Sequence, residues 1–183
     1  MKPVAVAFSG GIKSGKSSLS SELAARLNWP RVSFGDRVRT VAQQAGLDAA
    51  DRDVLQQLGE LLVQKDAPKF CADVLAQADA KWTPGEGIIL DGLRHAEVVT
   101  VLRAMLAPMD LCIILVSTDK KIRESRLPDS AGSSALAEWE KHPMEIQVTD
   151  ILPLIADFVV DGSLSITAAL DRILGWLTES DKI

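Results

Sequence analysis

Cysteine is scarce in this sequence, with two in 183 residues, and Cys71 and Cys112 stand far apart among apolar neighbours. That pattern excludes a disulfide framework and a cysteine-built metal site, and it fits reduced core thiols in a cytoplasmic protein. Basic residues are also in short supply, 20 Lys and Arg against 25 Asp and Glu, for a formal charge of -5. A surface built for polymeric nucleic acid displaces counterions with clustered Lys and Arg. No such partner is expected, and any phosphate-handling site has to be locally basic. Aromatic residues make up 4%; Trp29, Trp82, Trp139 and Trp176 are scattered rather than interleaved with basic residues, which argues against a stacking platform for single strands. No apolar run approaches the length needed to cross a bilayer, so no membrane association is expected. The apolar stretch at residues 4–8 is too short for a signal peptide and runs directly into Gly10 and Gly11, so it reads as a buried strand.

What the sequence does contain is an alternation. Five short apolar, β-branched runs occupy residues 4–8, 31–34, 87–90, 111–116 and 158–160. They are continuous rather than alternating, which predicts strands covered on both faces and hence a parallel sheet. Between them lie helical stripes: Leu19, Leu23 and Leu27 within residues 18–27, then Val54, Leu55, Leu58, Leu61 and Leu62, then residues 98–106 and 166–177. Strand alternating with helix predicts an α/β fold in one domain. The interval 36–81 exceeds a minimal crossover and has room for a substrate-binding insert. Residues 128–134 read as a mobile loop, residues 83–87 as a turn, and Trp29-Pro30 as the close of the first helix.

Gly10-Gly11-Ile12-Lys13-Ser14-Gly15-Lys16-Ser17 fits the Walker A pattern, after an apolar strand and before a helix, where the mechanism requires it. Glycines let backbone N–H groups approach phosphate, and the following helix, from Ser18 onward, turns its positive end toward it. Lys16 is placed to reach the β- and γ-phosphates and Ser17 to ligate Mg²⁺, whereas Lys13 reads as a solvated side chain. Ile88-Ile89-Leu90-Asp91 is an apolar strand ending in an acid. Asp91 is thereby a candidate Mg²⁺ ligand, or the start of an Asp91-Gly92 turn, or both. No Asn-Lys-x-Asp segment for guanine is present, which points to ATP.

These residues resemble those of the P-loop kinases that phosphorylate nucleoside monophosphates and related small molecules, over most of the chain. Ser33-Phe34-Gly35-Asp36-Arg37-Val38-Arg39 is similar to the Gly-Asp-x-x-Arg segment of adenylate-kinase-like enzymes; the resemblance implies that Asp36 and Arg39 bind the acceptor, with Arg39 on its phosphate. Asp91-Gly92-Leu93-Arg94 is similar to the family's Asp-Gly-Phe-Pro-Arg segment, one residue shorter, and makes Arg94 a second acceptor ligand. Arg123-Glu124-Ser125-Arg126-Leu127 looks like the base of the family's lid, with Arg123 and Arg126 as catalytic partners of Lys16. The P-loop itself is also very like that of dephospho-CoA kinases, and residues 157–162 resemble the segment that brings backbone near the donor base.

The resemblance implies a P-loop NTPase fold of three α/β/α layers, with a five-stranded parallel sheet in the order 2-3-1-4-5. It further implies one domain spanning residues 1–183, a helical acceptor-binding insert at about 36–81 and a short lid at about 123–145. The implied activity is ATP- and Mg²⁺-dependent phosphoryl transfer to a small phosphorylated acceptor, a (deoxy)nucleoside monophosphate or dephospho-CoA, by a monomer or homodimer. A slow nucleotide-dependent switch is the contrasting expectation, though it has no need of paired acceptor arginines. Arg37, Arg103 and Arg172 read as surface ion-pair formers, and His95 and His142 are assigned no chemistry.

Overall fold

The computed structural model describes residues 4–78, 82–83, 85–128 and 134–183. The expected loop at 128–134 lies, apart from its two ends, outside the described residues, as does Pro84 of the expected turn; there Glu86 N–H donates to the Thr83 carbonyl at 3.1 Å. Along the chain come β1 (Val4–Ser9), α1 (Lys16–Leu27), β2 (Arg31–Ser33), α2 (Phe34–Gln44), α3 (Arg52–Leu75), β3 (Ile88–Leu93) and α4 (Ala96–Leu106). Then follow β4 (Asp110–Ser117), α5 (Lys120–Ser125), α6 (Ala135–Trp139), α7 (Pro143–Ile146), a π-helical turn (Gln147–Ile151), α8 (Leu152–Ile155), β5 (Phe158–Asp161) and α9 (Ile166–Glu179).

The five strands form one sheet in the order β2-β3-β1-β4-β5, every neighbouring pair parallel. All six residues of β1 are buried, as its unbroken apolar run and central place require. Alternate side chains feed two cores. On one face Val4, Val6, Phe8, Ile89, Cys112, Ile114 and Val116 pack against Leu19, Leu23 and Ala24 of α1 and Leu170, Ile173 and Leu177 of α9. On the other, Ala5, Ala7, Ile88, Leu90 and Ile113 meet Val38 of α2, Val63, Phe70 and Val74 of α3, and Val98, Leu102 and Leu106 of α4. Burying one such Leu contributes about 1.5–3 kcal/mol, so each helix is held chiefly by its apolar stripe.

Several boundaries differ from the sequence expectations for local reasons. The second strand ends at Ser33, not Phe34, because the Ser33 hydroxyl accepts from Asp36 N–H at 3.1 Å and caps α2. The first helix starts at Lys16, two residues before the expected start. α3 breaks at Asp66, which has φ -166° and ψ 82°; its carboxylate accepts from Lys69 N–H at 2.8 Å and starts a new helix that carries Pro68 in its first turn. In the first half of α3 the inward face is Gln56, Gly59 and Val63, flanked by Leu55, Leu58 and Leu62, while Leu61 is exposed. The expected stripe is therefore rotated, since this face borders a polar cleft.

β3 does not end at Asp91. It continues to Leu93, and its pairing with β1 passes from Phe8↔Asp91 to Ser9↔Leu93, leaving Gly92 as an extra residue at φ 88°. Such a bulge needs the left-handed region that glycine enters at no steric cost. It redirects the chain toward Arg94 at the C-terminal ends of the strands. In an open parallel sheet of this kind, ligands bind at those ends, where the strand order reverses.

Candidate active site

One cleft of about 420 Å³ opens there. Its wall contains Lys13, Lys16, Arg31, Arg39, Arg52 and Arg94 against Asp36, Asp91 and Glu145. A chain of net charge -5 thus concentrates a cationic excess in one concavity, as an anion site demands. Phe34, Val38, Leu55, Phe70, Leu93 and Met144 supply an apolar surround.

On the donor side, β1 runs into the glycine-rich bend and α1 starts at Lys16 with Gly15 as its cap at φ 98°. No side chain caps α1, so its first-turn N–H groups are left for an anion rather than satisfied internally. Lys16 is half-buried, and its ammonium lies 3.5 Å from the Gly11 carbonyl. Burial, and then the charge of Arg94, push its pKa down to about 7, against the opposing pull of Asp91 and Glu145. The two carboxylates do not fully offset the cost of burying its charge, so an incoming anion would favour the charged form.

Ser17 lines the same cleft as Asp91. Asp91 is 4% exposed; one carboxylate oxygen accepts from Arg31 at 2.5 Å and the other is buried without a hydrogen-bond partner. A hard oxygen donor in the same cleft as a serine hydroxyl suits a Mg²⁺ ion. Arg31 also donates through Nε to the Ser20 hydroxyl at 3.0 Å, which fixes β2 to α1.

On the acceptor side, Arg39 and Asp36 sit at the rim, half-exposed and paired to each other at 2.8 Å. Arg94 is deeper and donates to the Glu145 carboxylate. Gln56 Nε2 reaches the same carboxylate at 3.4 Å and the Trp139 carbonyl at 3.3 Å. The Arg52 guanidinium lies 5.0 Å from the centre of the Trp139 ring, a cation–π contact. Burial and then Arg94 lower the Arg52 pKa to about 10, so it stays charged at neutral pH. Burial pushes the Glu145 carboxyl up, but Arg94, by charge and hydrogen bond, with Lys16 and Arg52, outweighs this and holds it below the usual carboxylate range. His95 is driven down to about 4 by burial and Arg94 and is neutral. His142 accepts from Met144 N–H at 3.3 Å and lies 3.5 Å from Glu60.

The lid-base arginines stand elsewhere. Arg126 donates to the Lys13 and Ser14 carbonyls at 3.2 and 3.1 Å and to the Gly162 carbonyl at 2.7 Å. Arg123 donates to the Thr118 carbonyl at 3.1 Å, the Ile12 carbonyl at 3.5 Å and Glu140 at 2.6 Å. Both are thus tied to the backbone of the bend itself, which they brace, and neither is among the residues that line the cleft. The residues at 157–162 take part in the same brace: a Cβ on Gly162 would meet the Thr118 hydroxyl at 2.1 Å and the Ser14 carbonyl at 2.4 Å. Ser18 is exposed on the first turn of α1. Arg37 forms the expected ion pair, with Asp73 at 2.8 Å.

The structure thus brings Lys16, Ser17, Asp91, Asp36, Arg39 and Arg94 to one cleft and adds Arg31, Arg52, Gln56 and Glu145, which no local motif marks. A parallel sheet with a phosphate-shaped bend after its central strand and an acid on the neighbouring strand is the P-loop NTPase fold. By sequence, residues 9–142 match the AAA domain family, and the chain belongs to it. No curated protein matches the chain. Among solved structures it is similar to shikimate kinase from Aquifex aeolicus, at 18% identity and TM-score 0.63, with 97% of this chain and 98% of the other covered. It is similar also to APS kinase from Mycobacterium tuberculosis in complex with AMPPNP and APS, with the same identity, TM-score and coverage. A gluconokinase from Sinorhizobium meliloti shares 16% identity at TM-score 0.57, over 97% of this chain and 93% of that one.

Proposed function

We propose that this protein is a kinase that transfers the terminal phosphoryl group of ATP to a small phosphorylated acceptor, a (deoxy)nucleoside monophosphate being favoured over dephospho-CoA. The observation that carries this is the joining of two cationic sets in one cleft: Lys16 at the bend on one side, Arg39, Arg52 and Arg94 on the other. A switch that only hydrolyses nucleotide has no use for the second set. The apolar surround of Phe34, Val38, Leu55 and Phe70 offers a place for the body of an acceptor whose phosphate faces the arginines. The solved relatives named above include kinases whose names carry shikimate, gluconate and APS, in keeping with a small acceptor.

Phosphoryl transfer has a loose transition state, so positioning and charge neutralisation carry the rate. In this reading the α1 N-terminus and Lys16 hold the donor phosphates, and Lys16 follows the charge that develops on the transferring group. Ser17 and the free oxygen of Asp91 would hold Mg²⁺, which would supply neutralisation of phosphate charge. Arg94 and Arg39 grip the acceptor phosphate in fork geometry. Residues 36–81 act as the acceptor-side insert and residues 123–145 as a short lid. Arg123 and Arg126 support transfer by keeping the bend rigid.

A coupled ADP-release assay over nucleoside and deoxynucleoside monophosphates, dephospho-CoA, shikimate, gluconate and APS tests the proposal. Transfer to a monophosphate supports it, and exclusive transfer to a non-phosphorylated acid corrects the acceptor. Water as sole acceptor refutes the kinase reading. Lys16→Ala removes the main donor-side charge, and turnover falls by about a thousandfold or more.

A further inference from the structure

Glu145 is the strangest residue in the cleft, a carboxylate 2% exposed in a place otherwise built to attract anions. It comes from α7, a single helical turn followed by the π-helical stretch Gln147–Ile151. This segment is anchored downstream, where Val148 and Leu152 enter the core and the Gln147 side chain accepts from Ala96 N–H at 2.9 Å. Upstream it lies across the cleft. Trp139 meets Arg52, its carbonyl takes Gln56, and His142 faces Glu60. The Glu145 carboxylate holds Arg94, which is 15% exposed against 52% for Arg39. π-Helical turns collect at functional sites because they place one residue out of helical register.

Resting on the kinase reading, the geometry points to Glu145 as an internal occupant of the acceptor's anion subsite, filling the position at Arg94 that a phosphate monoester has to enter and exchanging with it. Two facts favour exchange over permanent pairing. Among the described residues the close anionic partner of Arg94 is Glu145, and it belongs to the segment laid over the cleft rather than to the strand beneath it. A dianionic phosphate next to an undisplaced Glu145 would also bring two like charges together beside a buried carboxylate that is poorly screened. With Glu145 in place Arg94 is neutralised by the chain itself, and an acceptor binds with an apparent affinity scaled by the fraction of molecules in which Glu145 has left.

The alternative role, in which Glu145 only orients Arg94 toward the acceptor, predicts the opposite effect of neutralising it. The measurement is phosphate binding by calorimetry with the P-loop filled by Mg·AMPPNP, comparing the full wild-type chain with Glu145→Gln. Inorganic phosphate is expected to bind the variant about tenfold or more tightly than wild type. The gain should vanish in Glu145→Gln combined with Arg94→Ala. Unchanged or weaker phosphate binding by Glu145→Gln overturns the inference. Should that variant not fold, Glu145→Asp, which keeps the charge but is one methylene short of Arg94, is measured instead, with the same expected direction and the same refutation. Failure of wild type to bind Mg·AMPPNP at all strikes the kinase reading, whereas intact nucleotide binding with unaltered phosphate affinity strikes only the role of Glu145.

Discussion

Lys16 offers a test that needs no knowledge of the acceptor. Its pKa of about 7 means that at pH 8 only about one molecule in ten carries the charge, against about nine in ten at pH 6. A bound polyphosphate favours the charged form and raises this pKa. Binding should then take up about 0.9 proton at pH 8 and about 0.1 at pH 6. The sign follows: the group is almost fully charged at pH 6 and below, so affinity is highest there, and it falls as pH rises through the free pKa. Between pH 6 and pH 8 the loss is about tenfold, or about 1.4 kcal/mol. Calorimetry with Mg·AMPPNP in two buffers of different ionisation enthalpy reads the proton uptake directly. Lys16→Arg keeps the charge at every pH used, so its difference from wild type isolates Lys16 from protons taken up by the ligand. Equal uptake by wild type and Lys16→Arg at pH 8, or wild-type uptake that does not grow from pH 6 to pH 8, refutes the reasoning.

Other expectations are simpler. Arg39→Ala removes a rim fork from the acceptor side, and acceptor KM should rise about tenfold in steady-state kinetics while Mg·AMPPNP affinity stays within about twofold. Gly162→Ala forces a methyl against the Thr118 hydroxyl and the Ser14 carbonyl; it should cost about 1–3 kcal/mol in urea unfolding and weaken nucleotide binding. Replacing Leu102, a fully buried residue of α4, by Ala should cost about 2–5 kcal/mol, read the same way. Burial pushes the Cys71 and Cys112 thiols up to about 11. A thiol-specific reagent at pH 8 should leave both almost untouched in the folded protein and titrate both in urea.

The frame of the molecule was readable because it rests on local, repetitive signals. The apolar runs at β1 and β4 and the bend from Gly10 to Ser17 are contiguous in sequence, and the strand order came from the resemblance that those residues carry. Asp36, Arg39 and Arg94 could be placed in a cleft for the same reason. Arg31, Arg52 and Glu145 could not. Arg31 meets Asp91 across 60 positions and Arg94 meets Glu145 across 51, so nothing near either partner in the chain announces the contact. Gln56 was hidden differently, since an apolar stripe is read from Leu55, Leu58 and Leu62 while the residue that turns fully inward is polar. Ser33 misled by one position because a capping hydroxyl and a strand residue look alike until the backbone turns.

The interruption of α3 at Asp66 has a bearing on how this protein could change its diet. Upstream of the joint the half-helix presents Arg52, Gln56 and Gly59 to the cleft, while downstream Cys71 and Val74 are held in the core and Phe70 alone of the three reaches both core and cleft. Selection, or a designer, can rework the upstream segment to admit a new molecule while the downstream segment keeps the foundation intact, because the hinge residue leaves the two without a shared run of helical hydrogen bonds.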